Sequence, residues 1–289
     1  MFSTILVASD GSEASDRIVE CVRPLRIIGV RRAVLVHVFH VRDVGGLYET
    51  LRSEMQPRLE RQAGVLREAG LETTIEMPLG FPADELQRIA RERGAELIVA
   101  GSRGASLARE RVLGSTAADL LHRLEFPLLL IRIELAGEEG ARCRAVCEGL
   151  FRNILFPTDF SENASHAFLH LEHIVREASS RVTLLHVQDR SRVERHLKHR
   201  LEEFNQIDAE RLAGMKLRLE QCGAEAVSVE IPYGLPVEEI LKLARSGDFS
   251  LIVMGAQGRG FFSEIFLGSV ANQVARLAPL PVLLVPALR

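Results

Sequence analysis

Two glycine-bearing stretches carry the residue types that could do chemistry. Gly101-Ser102-Arg103-Gly104 is followed by nine residues and then by Gly114-Ser115-Thr116. The same pattern returns as Gly255-Ala256-Gln257-Gly258, nine residues, and Gly268-Ser269-Val270. Glycines let a backbone approach a ligand closely and adopt positive φ. A helix is expected after each stretch, and a serine at its start can cap it and offer a hydroxyl. The N–H groups of a first helical turn and the helix dipole favour a phosphate. The pattern G-x-x-x-x-G-K-[ST] is absent, so the lysine of the kinase-like phosphate loop is missing.

Other reactive side chains are more ambiguous. Asp10 and Asp159 each end an apolar run, in Ala8-Ser9-Asp10 and Pro157-Thr158-Asp159. A carboxylate repels phosphates, so these aspartates suit a sugar or a base instead. His166, His170 and His173 fall at i, i+4, i+7, a spacing that can hold a metal. The apolar stripe Phe168, Leu171, Val175 and Ala178 leaves them on a more solvated face, so no metal site is expected. His196 and His199 read as solvated helix residues. His37 and His186 recur on matching strands and read as hydrogen-bonded structural histidines. Cys143 and Cys147 are not at a standard zinc or thioredoxin spacing. They are expected to be free thiols in a mobile segment. With Cys21 and Cys222 they make four cysteines, few and irregularly placed, so no disulfide framework is expected. The charged run from Arg190 to Arg211 reads as a solvated helix face. Spacing alone shows no Ser-His-Asp arrangement.

The elements that must position these residues occur twice. Ile5 to Asp10 matches Ile154 to Asp159, and Val34 to Val38 matches Thr183 to Val187. Gly80-x-Pro82 matches Gly234-x-Pro236, Leu97 to Gly101 matches Leu251 to Gly255, and Pro127 to Ile131 matches Pro281 to Val285. Five matches in one order and nearly one register imply a repeat. In the first copy, strands are expected over Thr4–Ser9, Ala33–Phe39, Leu71–Met77, Glu96–Ala100 and Leu128–Arg132. Helices are expected over Ser12–Ile28, Tyr48–Gly70, Ala83–Arg93 and Ser115–Leu124. Apolar strands alternating with helices imply a parallel sheet covered on both faces. The expected fold is α/β: two tandem doubly wound five-stranded parallel-sheet domains, Rossmann-like, over 1–133 and 151–289. The polar, glycine-rich stretch 134–150 is expected to be a linker. In such sheets ligands bind beyond the carboxyl ends of the strands, where the winding reverses.

Bulk properties remove several function classes. The 289 residues are 47% hydrophobic and 26% charged, with net charge −3. No general attraction to nucleic acid or to an anionic membrane follows from that balance. No apolar run approaches the ~20 residues that span a bilayer. The N-terminus has no basic n-region, so no secretory signal is expected and a cytoplasmic location is.

These motifs resemble the universal stress protein family in its tandem, two-domain form. The G-x-x-G-(nine)-G-S/T loop is similar to that of the family's ATP-binding branch, and the resemblance spans nearly the whole chain outside 134–150. It implies strand order 3-2-1-4-5 and an adenine nucleotide, ATP or AMP, held near Asp10 and Asp159. The backbone at Val38 and Val187 would face the adenine. Gly101, Gly104, Gly114, Ser115 and Thr116 would surround ribose and phosphates in the first lobe. Gly255, Gly258, Gly268, Ser269 and Val270 would do so in the second. Pro157, Thr158 and Asp159 match the family pattern closely there, and Arg259 would meet a phosphate. A Mg²⁺ ion accompanying ATP would bridge the phosphates through mostly water ligands. The resemblance implies a role in stress response or signalling, with ATP hydrolysis at most slow and no obvious general base. A non-nucleotide-binding scaffold and an adenylyl-transferring enzyme are the alternatives. Pro127–Ile131 and Pro281–Val285 would be edge strands, which seek a partner and suit a homodimer.

Overall fold

The computed structural model describes residues 2–42, 45–102, 113–136, 142–147, 149–190, 201–258 and 268–287. The chain divides into two compact units, Met1–Glu148 and Gly149–Arg289. We call them lobe 1 and lobe 2.

Lobe 1 runs β1 (Thr4–Ala8), α1 (Glu13–Glu20), β2 (Arg32–Val36), β3 (Phe39–His40), α2 (Tyr48–Glu68), β4 (Glu72–Glu76) and β5 (Leu79–Gly80). It continues with α3 (Pro82–Glu92), β6 (Leu97–Gly101), α4 (Ser115–His122), β7 (Leu128–Ala136) and β8 (Arg142–Val146). Its parallel strands lie in the order β4-β2-β1-β6-β7. Read by position in the chain, that is 3-2-1-4-5, the doubly wound arrangement. The strands are short, apolar and rich in β-branched residues. Ile5, Leu6, Val7, Leu35, Leu97, Ile98, Val99, Leu128 and Leu130 form the centre of the core, each at most 1% exposed. Right-handed crossovers send successive helices to one face until the strand order reverses, then to the other. Accordingly α1 packs with α2, and α3 with α4.

Lobe 2 repeats the scheme with β9 (Asn153–Pro157), α5 (Glu162–Ala178), β10 (Arg181–Leu185), β11 (Gln188–Asp189), α6 (Leu201–Gln221) and β12 (Ala226–Glu230). Then come β13 (Tyr233–Gly234), α7 (Pro236–Ser246), β14 (Leu251–Gly255), α8 (Ser269–Leu277) and β15 (Val282–Val285). The order β12-β10-β9-β14-β15 is again 3-2-1-4-5.

Local chemistry fixes the helix starts alike in both lobes. Ser12 Oγ accepts from Ser15 N at 3.3 Å and Ser161 Oγ accepts from Ala164 N at 3.1 Å, capping α1 and α5. Pro82 and Pro236 open α3 and α7, where a missing N–H removes no helical bond. Among the described residues no helix is long and apolar enough to cross a membrane.

Three features depart from the sequence expectations. The helix expected over Ser12–Ile28 stops at Glu20, and a 3₁₀ turn follows over Arg23–Arg26. Pro24 has no N–H to continue the helical ladder. Each lobe also carries a two-residue parallel ladder, β3 with β5 and β11 with β13, too short to leave a periodic signal. Finally, part of the 134–150 stretch is strand. β7 continues to Ala136 and pairs antiparallel with β8, Arg132 opposite Val146 and Ala136 opposite Arg142. Backbone pairing between two adjacent strands does not require an apolar pattern.

Candidate functional site

β1 and β6 are parallel neighbours, as are β9 and β14, so the loops that leave them emerge side by side at the carboxyl end of each sheet. Between these strands the winding reverses, which is where ligands bind in sheets of this kind.

The first loop is held by a repeated set of bonds. Ser9 N donates to Val36 O, and Thr158 N to Leu185 O, both at 2.9 Å. Asp10 Oδ1 accepts from Ser12 N at 3.0 Å, and Asp159 Oδ1 from Ser161 N at 3.0 Å. The residue after each aspartate takes a left-handed conformation: Gly11 at φ +72° and Phe160 at φ +58°. A glycine fits that geometry without strain, whereas a phenylalanine must be held there. The Phe160 ring lies 4.6 Å from the His186 ring, and the Arg211 guanidinium is 5.3 Å from its centroid. Pro157 ends β9 and is buried with Thr158, while Asp159 is half-buried and Asp10 exposed.

The second loop is also built alike in both lobes. Ser102 N donates to Ile131 O, and Ala256 N to Val285 O, each at 2.8 Å. Gly114 N donates to Ser102 O at 2.9 Å, and Gly268 N to Ala256 O at 2.8 Å, closing the loop onto its own start. Gly101 and Gly255 end β6 and β14. Gly114 and Gly268 are the N-caps of α4 and α8, without side-chain capping bonds. Ser115 and Ser269 therefore do not cap. They are the first helical residues, exposed, with Thr116 and Val270 half-buried after them. Their N–H groups belong to the first turn, which has no intrahelical acceptors. Gly104 and Arg259 lie outside the described residues.

In lobe 2 the two loops touch. A Cβ on Gly258 would stand 2.8 Å from Asp159 Oδ2, and one on Gly255 would stand 3.0 Å from Asn163 Nδ2. Asn163 Nδ2 donates to Gln257 O at 3.1 Å, tying α5 to the second loop. Asn163 Oδ1 is buried with no hydrogen-bond partner. Ala14 occupies the corresponding place in lobe 1, so that lobe lacks this tie.

Val38 and Val187 are half-buried just past β2 and β10. The histidines before them are structural, as expected. His37 Nδ1 lies 2.9 Å from Ser9 O, and His186 Nδ1 lies 2.8 Å from Thr158 O. Burial pushes the His37 imidazole below its ordinary pKa, against the opposing Ser9 carbonyl and Asp10 carboxylate. In lobe 2 a polar cluster backs the loop, which the sequence reading missed. His186 Nε2 stands 3.4 Å from Asp208 Oδ2, Gln188 Nε2 donates to the same oxygen at 2.6 Å, and Arg211 Nη1 is 3.7 Å from Asp208 Oδ1. Asp208 is buried, not part of a solvated face. In lobe 1 Met55 takes its place beneath Gly11, whose Cβ would stand 2.5 Å from Met55 Sδ.

The model of the universal stress protein family matches residues 1–132 and 150–286, covering both lobes. The chain belongs to that family. Universal stress protein MJ0577 of Methanocaldococcus jannaschii is 32% identical over 155 residues, covering 47% of this chain and 95% of the relative. Universal stress protein YxiE of Bacillus subtilis is 29% identical over 147 residues, covering 47% and 99%. The crystal structure of a universal stress protein from Archaeoglobus fulgidus superposes with a TM-score of 0.76 over 98% of each chain. At 22% identity that likeness speaks to fold. The short relatives each match about half of this chain, which agrees with a universal stress protein built as a tandem repeat.

Two further expectations are corrected in this universal stress protein. His170 is 5% exposed, packed into the core side of α5. The buried face of that helix is wider than one stripe and takes in Ala164, Ala167, Phe168, His170, Leu171, Ile174 and Val175. Burial, with the charges of His166 and His173, lowers the His170 pKa to about 4. Among the described residues no group of three His, Cys, Asp or Glu side chains could hold a metal ion. Cys147 is not a free thiol: it is bonded to Cys21. His196 and His199 lie outside the described residues.

Proposed function

We propose that this universal stress protein binds an adenine nucleotide, ATP or AMP, in the crevice between the two loops of each lobe. The observation that carries this reading is the close approach of the loops in lobe 2. Gly258 lies so near Asp159 that any side chain would press on the carboxylate, and Asn163 Oδ1 is a buried acceptor with no donor beside them. A glycine cradle next to a ribose-seeking carboxylate suits a nucleoside phosphate. Asp10 and Asp159 serve the ribose or base, and the backbone at Val38 and Val187 faces the adenine. Gly101, Gly104, Gly114, Ser115 and Thr116 hold the phosphates in lobe 1. Gly255, Gly258, Gly268, Ser269 and Val270 do so in lobe 2, with Arg259 and with Pro157 and Thr158 shaping the floor. Mg²⁺ would accompany bound ATP and offset its phosphate charge. Occupancy acts in stress response or signalling in the cytoplasm, through partner choice or homodimerisation by the edge strands, and not through rapid catalysis.

The test is to denature freshly purified protein and identify any released nucleotide by mass spectrometry, then repeat with Gly268→Val. Release of AMP or ATP from the parent chain, and a lower content per chain in the folded variant because the lobe 2 share is lost, is the expected result. Equal nucleotide content in a folded Gly268→Val protein would move the site elsewhere. No nucleotide, and no uptake on incubation, would favour the scaffold alternative.

A further inference from the structure

Lobe 1 holds a covalent feature that nucleotide binding does not use. Cys21, the C-cap of α1, is joined to Cys147, just past β8, with Cα atoms 5.5 Å apart. Cys21 is 1% exposed and Cys147 is half-buried. The bond fastens the β7–β8 hairpin to the end of α1.

The fold does not need this bond. Lobe 2 builds the same five-stranded order without one. Ser12 and Ser161 cap the corresponding helices, and Cys21 and His170 each stand nine residues beyond the cap. Lobe 1 has a full core of its own, with Ile5, Leu6, Leu35, Leu59, Leu66 and Leu86 sealed from solvent. A single crosslink in a chain with a sufficient core differs from the dense frameworks that staple small secreted domains. The two residues also differ in access, Cys147 being the more open to attack and Cys21 the buried one that would resolve.

We propose that Cys21 and Cys147 are a thiol–disulfide exchange site: a low-molecular-weight disulfide locks the β7–β8 hairpin onto α1, and a low-molecular-weight thiol releases it. In the locking direction, the Cys147 thiolate attacks one sulfur of the small disulfide. A mixed disulfide forms and one small thiolate leaves. The Cys21 thiolate then attacks the Cys147 sulfur, the protein disulfide forms, and the second small thiolate leaves. Two protein thiols lose two electrons and two protons. The small disulfide gains both and becomes two thiols. Release runs the same steps backwards.

The hairpin supplies its own reporter. Arg142 and Arg144 lie in β8, whose backbone pairs with that of Ala136 and Glu134, so tryptic cleavage after them should report opening of the strand pair. The full-length chain is equilibrated over ratios of oxidised to reduced glutathione. Thiols are trapped and counted by mass, and native-state tryptic cleavage at Arg142 and Arg144 is timed. Two thiols should disappear together in one reversible transition, with cleavage about tenfold faster in the reduced protein. Cys21→Ser and Cys147→Ser should cleave at the reduced rate at every ratio. Cys143→Ser and Cys222→Ser should behave as the parent. A pair that stays dithiol at every ratio overturns the proposal. So does a bond that opens only when circular dichroism shows global unfolding, or cleavage that is equal in the two states. A transition kept in Cys147→Ser would assign the chemistry to a different pair.

Discussion

Gly258→Ala is the sharpest perturbation of the proposed site. The new Cβ would stand 2.8 Å from Asp159 Oδ2, whereas ordinary contact begins at 3.4 Å, so the carboxylate must move by about 0.6 Å (3.4 minus 2.8). Asp159 is the end of a flexible side chain, half-buried, anchored at its other oxygen by Ser161 N at 3.0 Å. Turning it off its rotamer costs about 0.5–1.5 kcal/mol, so the variant should fold. The displaced carboxylate would lose the hydrogen bond that the proposed site gives it with the nucleotide. A charge-assisted bond of that kind is worth about 1.5–3 kcal/mol. The Kd for the nucleotide in lobe 2 should rise by roughly ten- to a hundredfold. Gly214→Ala is the matched control: it lies in α6 with nothing within 4 Å of its added Cβ. It should leave the Kd unchanged and raise stability by about 1 kcal/mol, the helix-interior difference between glycine and alanine. Calorimetric titration and denaturant unfolding of both proteins measure the two quantities. A folded Gly258→Ala protein with the parent Kd would refute the placement of the nucleotide against Asp159.

Two further expectations concern the fold around the site. The His170 pKa is lowered to about 4 from 6.5, so between these values the unfolded chain binds more protons than the folded one. Stability is therefore full above pH 6.5 and declines as pH falls, by about 3 kcal/mol once pH reaches 4. Denaturant unfolding at several pH values should show this loss in the parent and a smaller slope in His170→Leu; equal slopes would contradict the buried, neutral imidazole. Asp208→Ala removes the acceptor of the Gln188 amide and the neighbour of His186 and Arg211. It should destabilise the protein by about 2–6 kcal/mol, at roughly 1–3 kcal/mol for each of the two buried groups, Gln188 and His186, left without this partner. Replacing the corresponding Met55 with alanine acts instead through lost packing on Gly11 and should leave lobe 2 unaffected, as thermal unfolding would show.

The fold was readable because its determinants are periodic and repeated. Runs such as Ile5-Leu6-Val7 and Ile252-Val253 are apolar on both faces, which only a covered parallel sheet satisfies. The glycine loops were readable for the same reason, since Gly101, Gly114, Gly255 and Gly268 keep one spacing in both copies. What escaped depends on contacts between distant residues. Cys21 and Cys147 are 126 positions apart and belong to a helix end and a hairpin, so no local pattern links them. Asp208 sits within a charged run, and only the fold shows that it turns inward to Gln188 and His186. His170 fell outside a stripe drawn too narrow, because α5 packs against both α6 and strands β14 and β15 and so buries a broad face. Ser115 and Ser269 are cap-type residues at the helix starts, but the extended ψ of Gly114 and Gly268 makes the glycines the caps and shifts the serines into the helix.

The central claim is nucleotide binding at the doubled loops, and titration of ATP with Mg²⁺ into nucleotide-stripped full-length protein tests it most directly. The account predicts saturable heat with one or two sites per chain, with the lobe 2 site weakened roughly ten- to a hundredfold in Gly258→Ala. No heat up to millimolar ATP or AMP, with no nucleotide in the unstripped protein, would contradict it.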